Sequence, residues 1–189
     1  SIAINVQAVS YNSFGQTGLI NLPSAEVHEE QSIYLTLNRN NYTKLGVITV
    51  TPFNWLETSY FYYRPDDLYW GSAKGLFLDK GFNVKFSYKP SSKFLPTIAL
   101  GLDDFAGTGQ FTREYIASTY NLSSLKLTTG IGWGKYVGTS SNKNPLSIFH
   151  NHFKERSSNK YGLGGKPSYD LWFTGNSTFF GGIEINVPK

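Results

Sequence analysis

The chain has 189 residues, 40% hydrophobic and only 16% charged, against about 25% charged in an average soluble domain, so a disordered or solvating segment is excluded. Cysteine is absent, which removes a disulfide scaffold, a thiolate metal site and a cysteine nucleophile. The formal net charge of +4 is dispersed along the chain and does not mark a nucleic-acid partner.

Methionine is also absent, so Ser1 is expected not to be the translated start. With 13 Tyr, 14 Phe and 19 Gly, the composition favours strands over helices. No run approaches the 18 or so apolar residues of a membrane helix. A membrane β-barrel stays open, because its strands are apolar on one face only.

The first stretch, residues 1–30, has no regular period. It holds a Gly-rich turn at Phe14-Gly15-Gln16-Thr17-Gly18, a short apolar run and then Pro23, and reads as a leader or plug-like segment. From there period-two alternation predicts strands over 31–39, 42–51, 55–64, 82–89, 95–103, 111–120, 124–134 and 178–187. Phe82, Val84, Phe86 and Tyr88 oppose Asn83, Lys85 and Ser87. Likewise Leu125, Leu127, Ile131 and Trp133 oppose Lys126, Thr128, Gly130 and Gly132. The domain expected over 31–189 is all-β.

Strand lengths of about 8 to 11 residues suit a tilted membrane crossing, which needs about 9 to 11. The connections at 52–54, 90–94 and 121–123 are short, whereas those at 65–81, 104–110 and 135–177 are long. In an up-and-down meander all the long ones fall at one end, as in outer-membrane barrels. The pattern therefore predicts an antiparallel transmembrane β-barrel, with aromatic girdle residues Trp55, Tyr60, Tyr62, Tyr88 and Trp133 on the apolar face. A soluble β-barrel module binding a sugar or lipid, with that face as its core, is the alternative.

Asp79-Lys80-Gly81-Phe82-Asn83-Val84-Lys85-Phe86, the segment from Leu95-Pro96-Thr97 through Asp103-Asp104-Phe105-Ala106-Gly107-Thr108-Gly109 to Phe111, Glu114-Tyr115-Ile116-Ala117-Ser118 and Thr129-Gly130-Ile131-Gly132-Trp133-Gly134 closely resemble the YjbH/GfcD-type outer-membrane proteins. Gly18-Leu19-Ile20-Asn21-Leu22-Pro23 and Pro52-Phe53-Asn54-Trp55 fit as well. The resemblance implies a barrel in the bacterial outer membrane connected with exopolysaccharide or capsule production or export. Its implied partners are lipid or lipopolysaccharide, polysaccharide and other secretion proteins. Asn83 stands where the family tends to have Asp. Members are generally longer and barrels usually end on an aromatic residue, so the eight strands are expected either to close or to form part of a larger barrel. Eight strands enclose an interior filled by side chains, and a conduit needs roughly 16 or more.

Chemistry is sparse. His150-Asn151-His152 with Glu155 lacks a third spaced ligand, so neither a metal nor a cofactor is expected. No Gly-x-Ser-x-Gly elbow is present, and an enzyme is not expected. Glu57, Lys85, Glu114, Lys126 and Glu184 are assigned to the barrel interior, because an ionised group facing lipid is costly, about 2 to 4 kcal/mol for a Lys or Arg at the midplane; ion pairing between strands is their expected role. Arg113 falls on the other face. Tyr69, Trp70, Phe153 and Lys154 in the long loops are candidates for sugar or lipopolysaccharide contact.

Overall fold

The computed structural model describes residues 9–66, 77–122, 124–138, 141–157 and 165–185. Within the leader, β1 (Gly18–Leu19) and β2 (Leu22–Pro23) form a small antiparallel hairpin. The remaining strands are β3 (Ser32–Arg39), β4 (Thr43–Phe53), β5 (Leu56–Pro65), β6 (Asp79–Tyr88), β7 (Thr97–Asp103), β8 (Arg113–Leu122), β9 (Leu125–Gly134) and β10 (Ser177–Ile185). They form one 8-stranded antiparallel meander in chain order.

Local chemistry sets the turns and bounds. At the β3–β4 turn, Asn40 Oδ1 accepts from the N–H groups of Tyr42 and Thr43 at 2.9 and 2.8 Å, an Asx-type closure. Pro52 does not reverse the chain as its residue type suggests. It lies inside β4, where the register with β5 shifts between Val50 and Phe53, so the missing N–H falls at a bulge that needs no ladder bond. Strand β7 starts at Thr97 rather than at 95, immediately after Pro96.

The long connections 66–78, 104–112 and 135–176 and the β3–β4 turn share one end of the sheet, with the short turns at the other. The two faces are chemically inverted relative to a soluble sheet. On one face Ile33, Leu35, Tyr88 and Phe179 are about two-thirds to three-quarters exposed, joined by Phe82, Phe86, Ile98, Leu100 and Ile116. On the other, Thr49, Glu57, Lys85, Thr119, Lys126 and Thr128 are buried.

Inner-face glycines make room for inner-face rings. A Cβ on Gly101 would strike Tyr115, one on Gly132 would strike Tyr136, and one on Gly130 would strike Phe180. Tyr115, Ala25, Ala99 and Ala117 form a small apolar cluster there, with Tyr136 and Phe180 packed on it.

Strands β3 and β10 are the edges of the sheet, and no hydrogen-bonded pairing joins them among the described residues. The closed barrel expected from the pattern is therefore not formed by the described strands alone. Two consecutive leader residues reach both edges: Ser10 Oγ donates to Glu184 of β10 at 2.9 Å, and the Tyr11 ring lies 4.9 Å from Tyr34 of β3. The polar face thus curls around the leader.

Candidate functional site

The site is the concave polar face together with residues 9–30, which bond to every strand from β3 to β10. Asn38 of β3 donates to Ser13 O, and Thr49 of β4 donates to Gly15 O. Glu57 of β5 accepts from both the N–H and the hydroxyl of Thr17. Ser87 of β6 donates to Ala25 O, Asp103 of β7 accepts from Gln16 Nε2 at 2.6 Å, and Thr119 of β8 accepts from Ala25 N. Lys126 of β9 pairs with Glu26 at 2.9 Å, and β10 receives Ser10.

The centre of this network is Lys85. Its ammonium lies 3.0 Å from Glu57 Oε1, its register partner across β5 and β6, and donates to Thr17 O at 2.9 Å and Glu26 O at 3.0 Å. Three acceptors match the three N–H bonds of an ammonium. Both side chains are almost wholly buried, Lys85 at 1% and Glu57 at 2% exposure. A charge so buried is tolerable only when paired and hydrogen-bonded, so the leader completes the solvation that the strands alone cannot supply.

At the long-loop end, Arg113 pairs with Asp103 at 2.8 Å and lies 3.9 Å from the Phe14 ring. Asp104, in the turn after β7, is 1% exposed and has a left-handed φ of 54°. Its Oδ2 accepts from the N–H groups of Gly109 and Phe111, fixing the loop. Burial, and secondarily the Asp79 carboxylate, push its pKa up to about 7.

The YjbH family model, described as "Exopolysaccharide biosynthesis protein YbjH", matches residues 10–189. The chain belongs to the YjbH family. The "Uncharacterized lipoprotein YjbH" of Escherichia coli (strain K12) is 32% identical over 185 residues, covering 95% of this chain and 26% of that protein. The chain therefore spans about a quarter of that relative's length. No solved structure matches it.

Among the residues singled out by sequence, Glu57, Lys85, Lys126 and Glu184 of this YjbH-family chain share the concave face. Glu184 is register partner to Lys126, yet the Lys126 ammonium engages Glu26 of the leader. Glu114 requires correction. Its register partners are Leu102 and Trp133, on the apolar face. Inward burial is not the only way to avoid an exposed charge: Glu114 is covered from outside by the loop before β10. Arg156 grips both its oxygens at 2.8 Å, and Phe173 N donates to it at 3.1 Å.

Arg113, expected on the apolar face, turns inward by the same alternation. Trp133, expected in the exposed girdle, is 1% exposed because Phe173 packs edge-on against it at 5.2 Å.

In the loop, Phe153 is half-buried and Lys154 exposed, and the Phe153 carbonyl accepts from Asn144. Tyr69 and Trp70 lie outside the described residues. His150 Nδ1 accepts from His152 N at 3.0 Å, a local cap, and the described residues contain no group of three His, Cys, Asp or Glu placed to hold a metal.

Sequence reasoning missed Thr17, Glu26, Asp103 and Arg156 as ion-network members. Asp103 next to Arg113 on paired strands carried a signal in its charge complementarity; the leader and loop residues carried none.

Proposed function

We propose that this chain is part of a non-enzymatic outer-membrane β-barrel that serves exopolysaccharide or capsule production or export, with residues 9–30 as the plug of its polar interior. The inverted sheet carries this reading. A face of exposed Ile, Leu, Phe and Tyr backed by buried Glu, Lys and Thr is what lipid outside and a polar interior require. An aromatic core, as in a soluble sugar- or lipid-binding module, would bury those rings instead.

Lipid also demands that every strand edge be paired. The edges β3 and β10 are accordingly completed by pairing with each other or with strands from the remaining length of a protein the size of its Escherichia coli relative. In the first case the plugged interior serves as an anchor or assembly partner; in the second a polysaccharide conduit becomes possible. The long loops face outward, towards lipopolysaccharide. The exopolysaccharide description of the family and the lipoprotein name of the relative support an envelope setting.

The test is fractionation of the native host followed by gel mobility with and without boiling. Recovery in the outer membrane with a heat-dependent shift is expected. Recovery as a soluble protein with no shift would sink the proposal.

A further inference from the structure

Between the leader and the long-loop end of the concave face lies a cavity of about 270 Å³, lined by Phe14, Phe61, Tyr63, Phe111, Asp104 and Arg113 among others. It belongs to none of the ion pairs that hold the leader at Lys85 and Lys126. Two of its rings form a corner, with Tyr63 and Phe111 edge to face at 4.9 Å. Phe61 is buried. Polar side chains stand among these rings, with Asn83, Asp103 and Lys135 joining Asp104 and Arg113 in the lining.

The geometry points to a binding site for one uncharged pyranose unit. A pyranose presents apolar C–H faces and a rim of hydroxyls, which fits aromatic walls with a few convergent polar groups. The volume lies just below the roughly 300 Å³ at the small end of ligand pockets, so the cavity suits a single sugar and not a chain. Charge favours a neutral one, since the two cations of the lining, Arg113 and Lys135, are matched by two acids, Asp103 and Asp104, with Asp103 paired to Arg113 at 2.8 Å. The exposed Lys135 ammonium in the lining can donate to a sugar hydroxyl. This assignment deepens the function proposed above by naming a ligand class, and rests on that reading only for where the sugar comes from.

The experiment is saturation-transfer NMR of the protein as its host produces it, purified in lauryldimethylamine oxide, a detergent with no sugar headgroup, and titrated with methyl hexopyranosides and with glucuronate. Saturable binding of a neutral hexopyranoside is expected, with a dissociation constant of the order of 1 mM for so small a ligand. Phe111→Ala and Tyr63→Ala should each weaken it at least about tenfold, the loss of one well-packed aromatic contact. Phe94→Ala, in the exposed turn at the opposite end, should leave it unchanged. The gel shift certifies that each variant is folded.

Absence of saturable binding to any hexopyranoside, or equal binding by the aromatic variants, overturns the site. Tighter binding of glucuronate than of the neutral sugars overturns its assignment to an uncharged ligand. A chain that shifts on heating yet binds no sugar breaks this inference alone. One that binds sugar without membrane association breaks the barrel reading and leaves the site standing.

Discussion

Two buried acids, Glu57 and Glu114, are satisfied by opposite strategies. Glu57 faces its register partner Lys85 across adjacent strands and is sealed by Thr17 of the leader. Glu114 sits on the apolar face opposite Leu102 and Trp133 and is held by Arg156, 42 residues along the chain in a long loop. The first pair lies in the middle of the concave network. The second lies where β8 leaves the loops, with Arg156 still 20% exposed. A pair with no route to water has no alternative when a partner is lost, whereas a pair under a loop can be rehydrated by lifting it.

That contrast fixes the order of expected effects. Lys85→Met should be the most damaging, about 3 to 5 kcal/mol, because it strands a buried carboxylate. Urea unfolding from micelles measures it, and Glu57→Gln with Lys85→Met should recover much of the loss. A double variant no better than the single would show that the two do not act as a pair.

Ile116→Arg, in the middle of the apolar face, should cost about 2 to 4 kcal/mol in liposomes, against about 0 to 1 for Phe94→Arg at the turn. Equal costs would remove the distinction between a lipid face and a wet end.

Arg156→Met should cost less than Lys85→Met, about 1.5 to 3 kcal/mol for lost charge-assisted hydrogen bonds. New protease cleavage between residues 141 and 176 should accompany it. Matching losses for the two variants would erase the difference between the pairs.

The last effect is read as a slope against pH. Asp104 has a folded pKa of about 7, above its unfolded value of roughly 3.9, so the native state binds more protons across that interval. Its contribution is full below the unfolded value and is lost as pH rises through the folded one. The unfolding midpoint should therefore fall from pH 5 to pH 8 more in the wild type than in Asp104→Asn. Parallel profiles would mean that the buried carboxyl titrates normally.

Strand existence and face assignment were legible where alternation was uninterrupted. Phe82, Val84 and Phe86 against Asn83, Lys85 and Ser87 is such a case, because a period of two admits only two orientations and the paired strand must agree. Legibility failed at strand ends. Arg113 and Glu114 are adjacent charges, so placing either inward puts the other outward, and the cost of exposing a charge cannot choose between them without knowing what covers each face. Asp103 and Asp104 show a related limit: alternation sends neighbours apart, but the left-handed turn at Asp104 ends the strand and lets both line one cavity. The leader's contacts were illegible because Thr17, Ser10 and Glu26 act through an irregular path with no period to read.

The sequence by itself determined that the chain is all-β, that one face of its strands is apolar, that the long connections share one end, and that its motifs resemble the YjbH family. These are local or one-dimensional properties, set by alternation, turn chemistry and residue order. Only the tertiary structure decided that residues 9–30 satisfy the charges of the concave face, that Arg156 reaches back to Glu114, and that Phe14, Phe111 and Arg113 converge on one cavity. Those contacts join segments far apart in sequence, and the cost of leaving a buried charge unpaired selects them only once the chain has folded.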